Sequence, residues 1–233
     1  MCGRFAQVIG HKELKRLTDE LKIKETTDQI EINYNVAPTN MVAAIVAKDA
    51  IRYVGFFRWG LIPSWSKTIP SQALINVRKE TIMEKPSFKA SFNRRRCLVP
   101  ANGFYEWRKN DKQPFFVQAA HSDLIYLAAI YDTWSAPDGS FIPSLGIITT
   151  AADKYIQPLH NRMPLLLPPS LSDLWLNPHA QNPDDLRALL SPAPEIELNV
   201  YPVDKRINNP QSNDSDCLKP IQLPSASNNF NLG

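Results

Sequence analysis

Across residues 11–23 the apolar side chains Leu14, Leu17 and Leu21 recur at three- and four-residue steps among lysines and glutamates, the period of an amphipathic surface helix. The pattern then changes to short apolar runs: MVAAIVA from Met41, YVGFFRWG from Tyr53, RCLVP from Arg96, PFFVQAA from Pro114, LIYLAAIYD from Leu124 and SLGIITT from Ser144. β-branched and aromatic residues fill these runs, and Pro, Gly, Asn or Asp bound them, as in strands whose side chains pack on a pleated surface. Helical spacing returns over residues 152–159, 170–176 and 183–190, the last opened by Asp184 and Asp185, whose charges suit a helix N-terminus. IELNVYPVD from Ile196 reads as a late strand. The series predicts an α+β domain with a curved, mainly antiparallel sheet and peripheral helices. From about Asn208 the chain becomes NNPQSNDSD and then PSASNNFNLG, polar and poor in aromatics. A single domain over residues 1–207 and a polar, flexible tail over 208–233 are therefore expected.

Composition narrows the class without choosing a function. With 233 residues, 43% hydrophobic and 21% charged, the chain can bury one substantial core. Lys and Arg number 26 against 23 Asp and Glu, a net charge of +3 that permits an anionic partner but does not demand nucleic acid. No stretch approaches the roughly 20 apolar residues of a membrane helix, and MCGRFAQ lacks the apolar centre of a signal peptide, so a cytoplasmic protein with no membrane partner is expected. Cys2, Cys97 and Cys217 are an odd set with no CxxC pair, which argues for free thiols and against a disulfide framework or a zinc site. Twenty prolines against eight glycines imply stiff, extended connections. There are no internal repeats and no glycine-rich phosphate loop.

Chemistry concentrates at four positions. Cys2 follows the initiator methionine, which is normally trimmed before a small residue; trimming leaves one residue carrying both a thiol and a free α-amine. An α-amine has a reference pKa of about 7.7–8.0 and is partly neutral near pH 7, unlike lysine, so it can add to an aldehyde. The thiol two carbons away can then close the imine into a five-membered thiazolidine, an effectively intramolecular attack. Glu106, in NGFYEWRK, sits among Phe104, Tyr105 and Trp107, where partial desolvation raises a carboxyl toward the range of proton exchange. His160, in PLHNRMP, stands at the expected end of a helix just before a proline-set stretch, a boundary that can aim an imidazole into a cleft. Asn76, in LINVRKE, reads as a buried amide able to donate and accept. Arg4, Arg78 and Arg162 suit phosphate oxygens, and Trp65 and Trp107 suit stacking on unpaired bases. On residue type alone each of these also reads as a core aromatic, a solvated charge or an incidental small residue.

Taken in order, MCGRFAQ, YNVAPT, WGLIP, LINVRKET, RCLVPANGFYEW, PFF, ITTAAD and HNRMP closely resemble the SOS response-associated peptidase (SRAP) family, over residues 2 to roughly 205. The resemblance implies a single domain with a bifurcated, barrel-like sheet, loss of Met1 by autoproteolysis or an aminopeptidase, and a thiazolidine link between the N-terminal Cys and an abasic site. Such a link would shield single-stranded DNA during replication. It implies Cys2 as nucleophile, Asn76 as the residue positioning the Cys backbone and sugar, Glu106 and His160 as acid/base groups, and Arg4, Arg78 and Arg162 on the phosphates, in a monomer needing no metal or cofactor. The tail lies outside the resemblance.

Two rivals remain. An N-terminal nucleophile glutamine amidotransferase also begins Met-Cys-Gly, but needs a glutamine pocket and leaves NGFYEW and HNRMP without a place. A reversible single-strand DNA-binding module would use the arginines and tryptophans and leave Cys2 idle.

Overall fold

The computed structural model describes residues 2–27, 29–48, 51–180, 182–190 and 196–223. The described residues form the strands β1 (Phe5–Gln7), β2 (Asn33–Val36), β3 (Met41–Lys48), β4 (Ile51–Trp59), β5 (Asn76–Arg78), β6 (Arg96–Ala101), β7 (Gly103–Trp107), β8 (Pro114–Ala119), β9 (Ile125–Ser135), β10 (Phe141–Ala151), β11 (Arg162–Pro164) and β12 (Leu198–Pro202). The helices are α1 (His11–Glu20), α2 (Pro86–Arg94), α3 (Ser172–Leu176) and α4 (Pro183–Leu189).

β10, β4, β3, β6 and β9 pair in that order, and β9 pairs back onto β10, closing a five-stranded barrel. A ring with an odd number of strands cannot alternate direction all the way round, so one neighbour pair has to be parallel. That pair is β4 with β10, joined at Ser144↔Arg58 and Leu145↔Trp59, while the other ring pairings are antiparallel. Closure removes free strand edges. A second sheet runs β12-β8-β7-β1-β2. The expected curved, mainly antiparallel sheet with peripheral helices is present.

β10 is the strand on which the site depends. Over residues 141–147 it pairs with β9, but over residues 149–151 that flank is taken by β11; on its other flank β4 gives way to β5, which joins at Ile147↔Asn76 and Thr149↔Arg78. The sheet forks there, and two short strands bring in side chains from distant parts of the chain. Gly146 makes the close approach of β5 possible, because a Cβ there would lie 3.0 Å from Val77 Cγ2 and 3.1 Å from Leu74 O.

The packing follows strand alternation. One face of the barrel strands, with Val42, Ala44, Val99, Leu127 and Ile147, shares a cluster with Phe5, Phe104 and Val117 of the second sheet. The opposite face, with Ala43, Ile45, Leu98, Ala128 and Ile130, packs with Leu14 and Leu17 of α1, Phe88 and Phe92 of α2 and Trp175 of α3. Behind the second sheet, Tyr105, Phe116, Val203, Ile207 and Cys217 form a third cluster.

Several expectations need correction. No helix forms over residues 152–159; successive turns replace it, because Pro158 has no N–H to donate and Asp153 Oδ1 accepts from the N–H groups of Tyr155 and Ile156 at 2.9 and 3.1 Å, a local alternative to the helical ladder. α1 stops at Glu20, with Lys22 at a positive φ of 54°, although Leu21 and Ile23 stay buried. α2 was absent from the hydrophobic pattern, as were β1, β2, β5 and β11, which are too short to show a period. The tail expected from Asn208 is packed through residue 223: Cys217 is fully buried, Asn213 Oδ1 accepts from the Tyr34 N–H at 2.7 Å, and the Ile221 N–H donates to Pro202 O at 2.9 Å. Its Asn, Asp and Ser residues build turns and caps, as Asp214 does by accepting from the Asp216 N–H, so composition alone misreads it as flexible. Residues 224–233 lie outside the described residues.

Gly103 sets the contact between β7 and β8, since a Cβ there would stand 2.3 Å from Val117 O and 2.5 Å from Phe116 Cζ. Gly103→Ala should therefore cost about 1–3 kcal/mol through overpacking, read as a lowered midpoint in reversible denaturation; an unchanged midpoint would show that β8 yields without cost.

Candidate functional site

Cys2 enters the fold through β1. The register Phe5↔Phe104 and Ala6↔Gly103 lays β1 antiparallel along β7, and the Tyr105 N–H continues it by donating to Arg4 O at 2.9 Å. Continued further, that register brings residues 2 and 3 alongside Glu106. Phe104 and Glu106 share one face of β7, toward the core that holds Cys2 and Phe5, while Tyr105 and Trp107 face the opposite way. Phe5 anchors the strand edge-on against Trp59 at 4.9 Å.

The fork in β10 supplies the rest. From β5, Asn76 Nδ2 donates to the Cys2 carbonyl at 2.8 Å, while its Oδ1 is buried without a hydrogen-bond partner. Just before β11, His160 Nδ1 accepts from the Arg162 N–H at 3.0 Å, an arrangement that leaves the proton of a neutral imidazole on Nε2. Glu106 is buried and its Oε1 accepts from the Trp107 N–H at 3.3 Å.

Electrostatics tie Cys2, Glu106 and His160 together. Burial pushes the Cys2 thiol up to about 12, and the Glu106 carboxylate adds to the rise. His160 is held below the ordinary imidazole value by burial, with the Glu106 carboxylate opposing. The carboxylate therefore acts on both the thiol and the imidazole. At neutral pH the thiol is protonated and the imidazole neutral, so the site gathers a thiol, a hydrogen-bond donor at Nε2 and the buried Glu106 side chain around one carbonyl grip. Among the described residues no group of three or more His, Cys, Asp or Glu is arranged to hold a metal ion.

The DNA-contact candidates fall in different places. Arg78 is exposed, two residues along β5 from Asn76 and on the same side of the strand. Arg162 is largely covered: its guanidinium pairs with Glu80 at 2.6 and 3.0 Å and donates to Thr149 O and Oγ1 at 2.7 and 3.1 Å, and its Nε is buried without a hydrogen-bond partner. Arg4 turns away from Cys2, with Nη1 donating to Asn35 Oδ1 and Ile207 O, each at 2.6 Å. Trp107 donates through Nε1 to Asn208 Oδ1 at 2.8 Å. Trp65, 65% exposed, stands on the loop over residues 62–74, which is tied to β9 by the Ser64 N–H on Asp132 and by Trp134 Nε1 on Ser66 O. Sequence reasoning missed Glu80, Thr149 and Asn35, the residues that orient two of these arginines. For Asn35 a signal existed, an amide inside the block YNVAPT.

A family model described as SOS response associated peptidase (SRAP) matches residues 1–210. The chain is 33% identical over 225 residues to abasic site processing protein YoqW of Bacillus subtilis, covering 94% of this chain and 99% of that one. It is 30% identical over 226 residues to abasic site processing protein YedK of Escherichia coli, with 95% and 100% covered. With abasic site processing protein HMCES of Rattus norvegicus it shares 31% identity over 273 residues, 96% of this chain and 77% of that one. The crystal structure of a Bacteroides thetaiotaomicron protein superposes with a TM-score of 0.82 at 24% identity, over 95% of this chain and all of that one, a likeness of fold.

The Cys2 thiol, raised above its unfolded value, contributes stability that is present below about pH 8.5 and is lost as the pH climbs toward 12. Cys97 and Cys217 are also buried and raised. Iodoacetamide at pH 8.5 should thus label all three thiols at least tenfold more slowly in the native protein than in denaturant; mass spectrometry showing rapid native labelling of Cys2 would contradict the buried, protonated thiol.

Proposed function

The chain belongs to the SOS response-associated peptidase family, and from that membership we propose that it captures abasic sites in single-stranded DNA as a covalent thiazolidine on Cys2. The observation that carries the reading is the convergence on Cys2: its carbonyl held by Asn76 at 2.8 Å, and its thiol in the field of the Glu106 carboxylate. Relatives named abasic site processing proteins, aligned over more than nine-tenths of this chain, support the substrate class.

The reaction begins with hydrolysis of the Met1–Cys2 peptide bond, by the protein itself or by an aminopeptidase, which frees the Cys2 α-amine. An abasic sugar is mostly a closed hemiacetal, and proton transfer by Glu106 or His160 opens it to the aldehyde. The neutral amine adds to the aldehyde carbon, and loss of one water gives the imine. The thiol then adds across the C=N bond, sulfur to carbon, and its proton passes by way of Glu106 to the nitrogen, closing the ring. Glu106 suits both late steps, since a carboxylate beside a forming iminium stabilises its positive charge and accepts the proton that the thiol gives up. An imine also acidifies the neighbouring C–H, so strand cleavage by β-elimination competes; ring closure removes the imine and suppresses it. Asn76 fixes the Cys2 carbonyl, which holds amine and thiol in reach of one carbon.

The test is an abasic single-strand oligonucleotide mixed with the purified protein and run on a denaturing gel. Wild type should give a stable adduct. Cys2→Ala should give none, and an N-terminal extension that blocks the amine should be equally damaging; a blocked protein that crosslinks normally would rule out the amine. Lack of a covalent band, with binding intact, would favour a reversible single-strand binder.

The acid/base assignments predict rates. Glu106→Gln should slow adduct formation about a hundredfold or more with DNA binding retained, and His160→Gln should slow it to a smaller degree. Wild-type rates in both variants would leave these residues structural. Arg78→Ala should lower the salt slope of capture by about 0.7 if Arg78 grips a phosphate, and a single-stranded site should react faster than the same site in a duplex; faster capture of the duplex site would overturn the single-strand reading.

A further inference from the structure

The chain over residues 204–223 crosses the back of the second sheet, behind the strands that carry Cys2 and Glu106. One buried amide meets it at several points. Asn35, 1% exposed in β2, accepts from Arg4 Nη1 through Oδ1 at 2.6 Å, and its Nδ2 lies within hydrogen-bond distance of the carbonyls of Ile207, Asn209 and Ser212 at 3.3, 3.0 and 2.8 Å. Ile207 O also accepts from Arg4 Nη1 at 2.6 Å, closing a triangle of Arg4, Asn35 and the crossing segment. Both neighbours of Glu106 reach the same side: Tyr105 Oη donates to Tyr34 O at 2.7 Å and lies 3.4 Å from Cys217 O, and Trp107 Nε1 donates to Asn208 Oδ1 at 2.8 Å. The main chain of Arg4 completes the connection, since its carbonyl takes the Tyr105 N–H at 2.9 Å and the Cys2 thiol points to the same oxygen at 4.0 Å.

We propose that the segment over residues 207–217 is a positioning element for crosslinking and that Asn35 is its key positioning residue, gripping Arg4 and, through Asn208, Trp107 from behind so that Cys2 and Glu106 keep their reacting geometry in front. The inference rests on the reading of the reaction given above. Its physical basis is alternation. Tyr105 and Trp107 point backward into the strap while Phe104 and Glu106 point forward into the core that holds Cys2, so tension on the back face sets the position of the front face. The amide of Asn35 faces three main-chain carbonyls within six residues of the segment, which makes the attachment specific in register. The segment continues past residue 210, where the family match ends, and Cys217 and Leu218 pack in the same cluster as Tyr105 and Trp107. A misplacement of about 1 Å between reacting groups is enough to cost about a hundredfold in rate.

The test compares wild type, Asn35→Ala and Asn208→Ala under conditions where each is folded by thermal denaturation, measuring adduct formation against DNA concentration and the exchange of the Tyr105 amide. Asn35→Ala should lower the maximal rate at saturating DNA at least tenfold while the half-saturating concentration stays within twofold, and should speed Tyr105 amide exchange at least tenfold. Asn208→Ala, an exposed position whose loss leaves the core intact, should lower the maximal rate about threefold and carries the test if Asn35→Ala does not fold. Wild-type maximal rates in the folded variants, or a change confined to half-saturation, would overturn the proposal. Should wild type form no adduct at all, the reaction reading fails; the strap's grip on Arg4 and β7 is then decided by amide exchange alone, with unchanged Tyr105 exchange in the folded variants refuting it.

Discussion

The antiparallel pairing of β1 with β7 is the constraint from which the site follows. Chain termini are normally solvated and frayed, and ordering each residue of one costs about 1–2 kcal/mol of backbone entropy. Here Phe5 is fully buried edge-on to Trp59, worth about 1.5–3 kcal/mol for the burial and about 0.5–1.5 kcal/mol more for the ring pair. Ala6 and Gln7 are buried beside it, with Gln7 exchanging hydrogen bonds with the Ala43 backbone and donating to Pro100 O across to the barrel. These contributions are of the size needed to order residues 2–4, and the Asn76 bond to the Cys2 carbonyl fixes the last of them. Nothing at the site works without this anchoring, because Cys2 contributes no strand pairing of its own.

Burial of the chain start has an electrostatic consequence. Desolvation disfavours any charge on the thiol, and the Glu106 carboxylate disfavours the negative one further. The same field has the opposite sign for a cation. In the proposed reaction the charged species at Cys2 is an iminium, so the Glu106 field that is poor for a thiolate offsets the cost of desolvating the intermediate that the thiol must attack. The carboxylate opposes ionisation of the resting thiol and complements the charge that develops in the proposed reaction. The orientation of His160 fits the same logic, since a neutral ring with its proton on Nε2 offers a hydrogen bond without placing a second positive charge beside the iminium.

Much of this was legible in the sequence, and the limits have physical causes. The strands β3, β4, β6, β8, β9 and β10, six to eleven residues long, announced themselves because each carries an apolar run of β-branched and aromatic residues bounded by turn formers. β1, β5 and β11 did not, yet these three-residue strands deliver Cys2, Asn76 and Arg162; their pairing is dictated by β7 and β10, a tertiary fact that no local window contains. Cys2, Asn76, Glu106 and His160 could be named from residue chemistry and motif order, and the resemblance implied that Asn76 positions the Cys2 backbone, but the bond from its Nδ2 to the Cys2 carbonyl, and the action of Glu106 on thiol and imidazole together, came only from the fold. The segment after Asn208 was misread because Asn, Asp and Ser serve equally well in solvated chains and in dense turns, and what separates the two cases is the donor at Asn35, far away in sequence.

The arginines show how little net charge says about a site. Arg78 is exposed, and its attraction for a phosphate is long-range and screened by salt. Arg162 is mostly withdrawn from water and already paired with Glu80, so an anion approaching it meets a partly neutralised guanidinium whose direction is set by Glu80 and Thr149. An exposed charge steers and a covered, paired one orients. With a net charge of only +3 the protein is poorly equipped to hold single-stranded DNA by attraction alone. In the proposed function that is no handicap: retention comes from the covalent bond, and the ionic contacts need only bring the sugar to Cys2 for long enough to react.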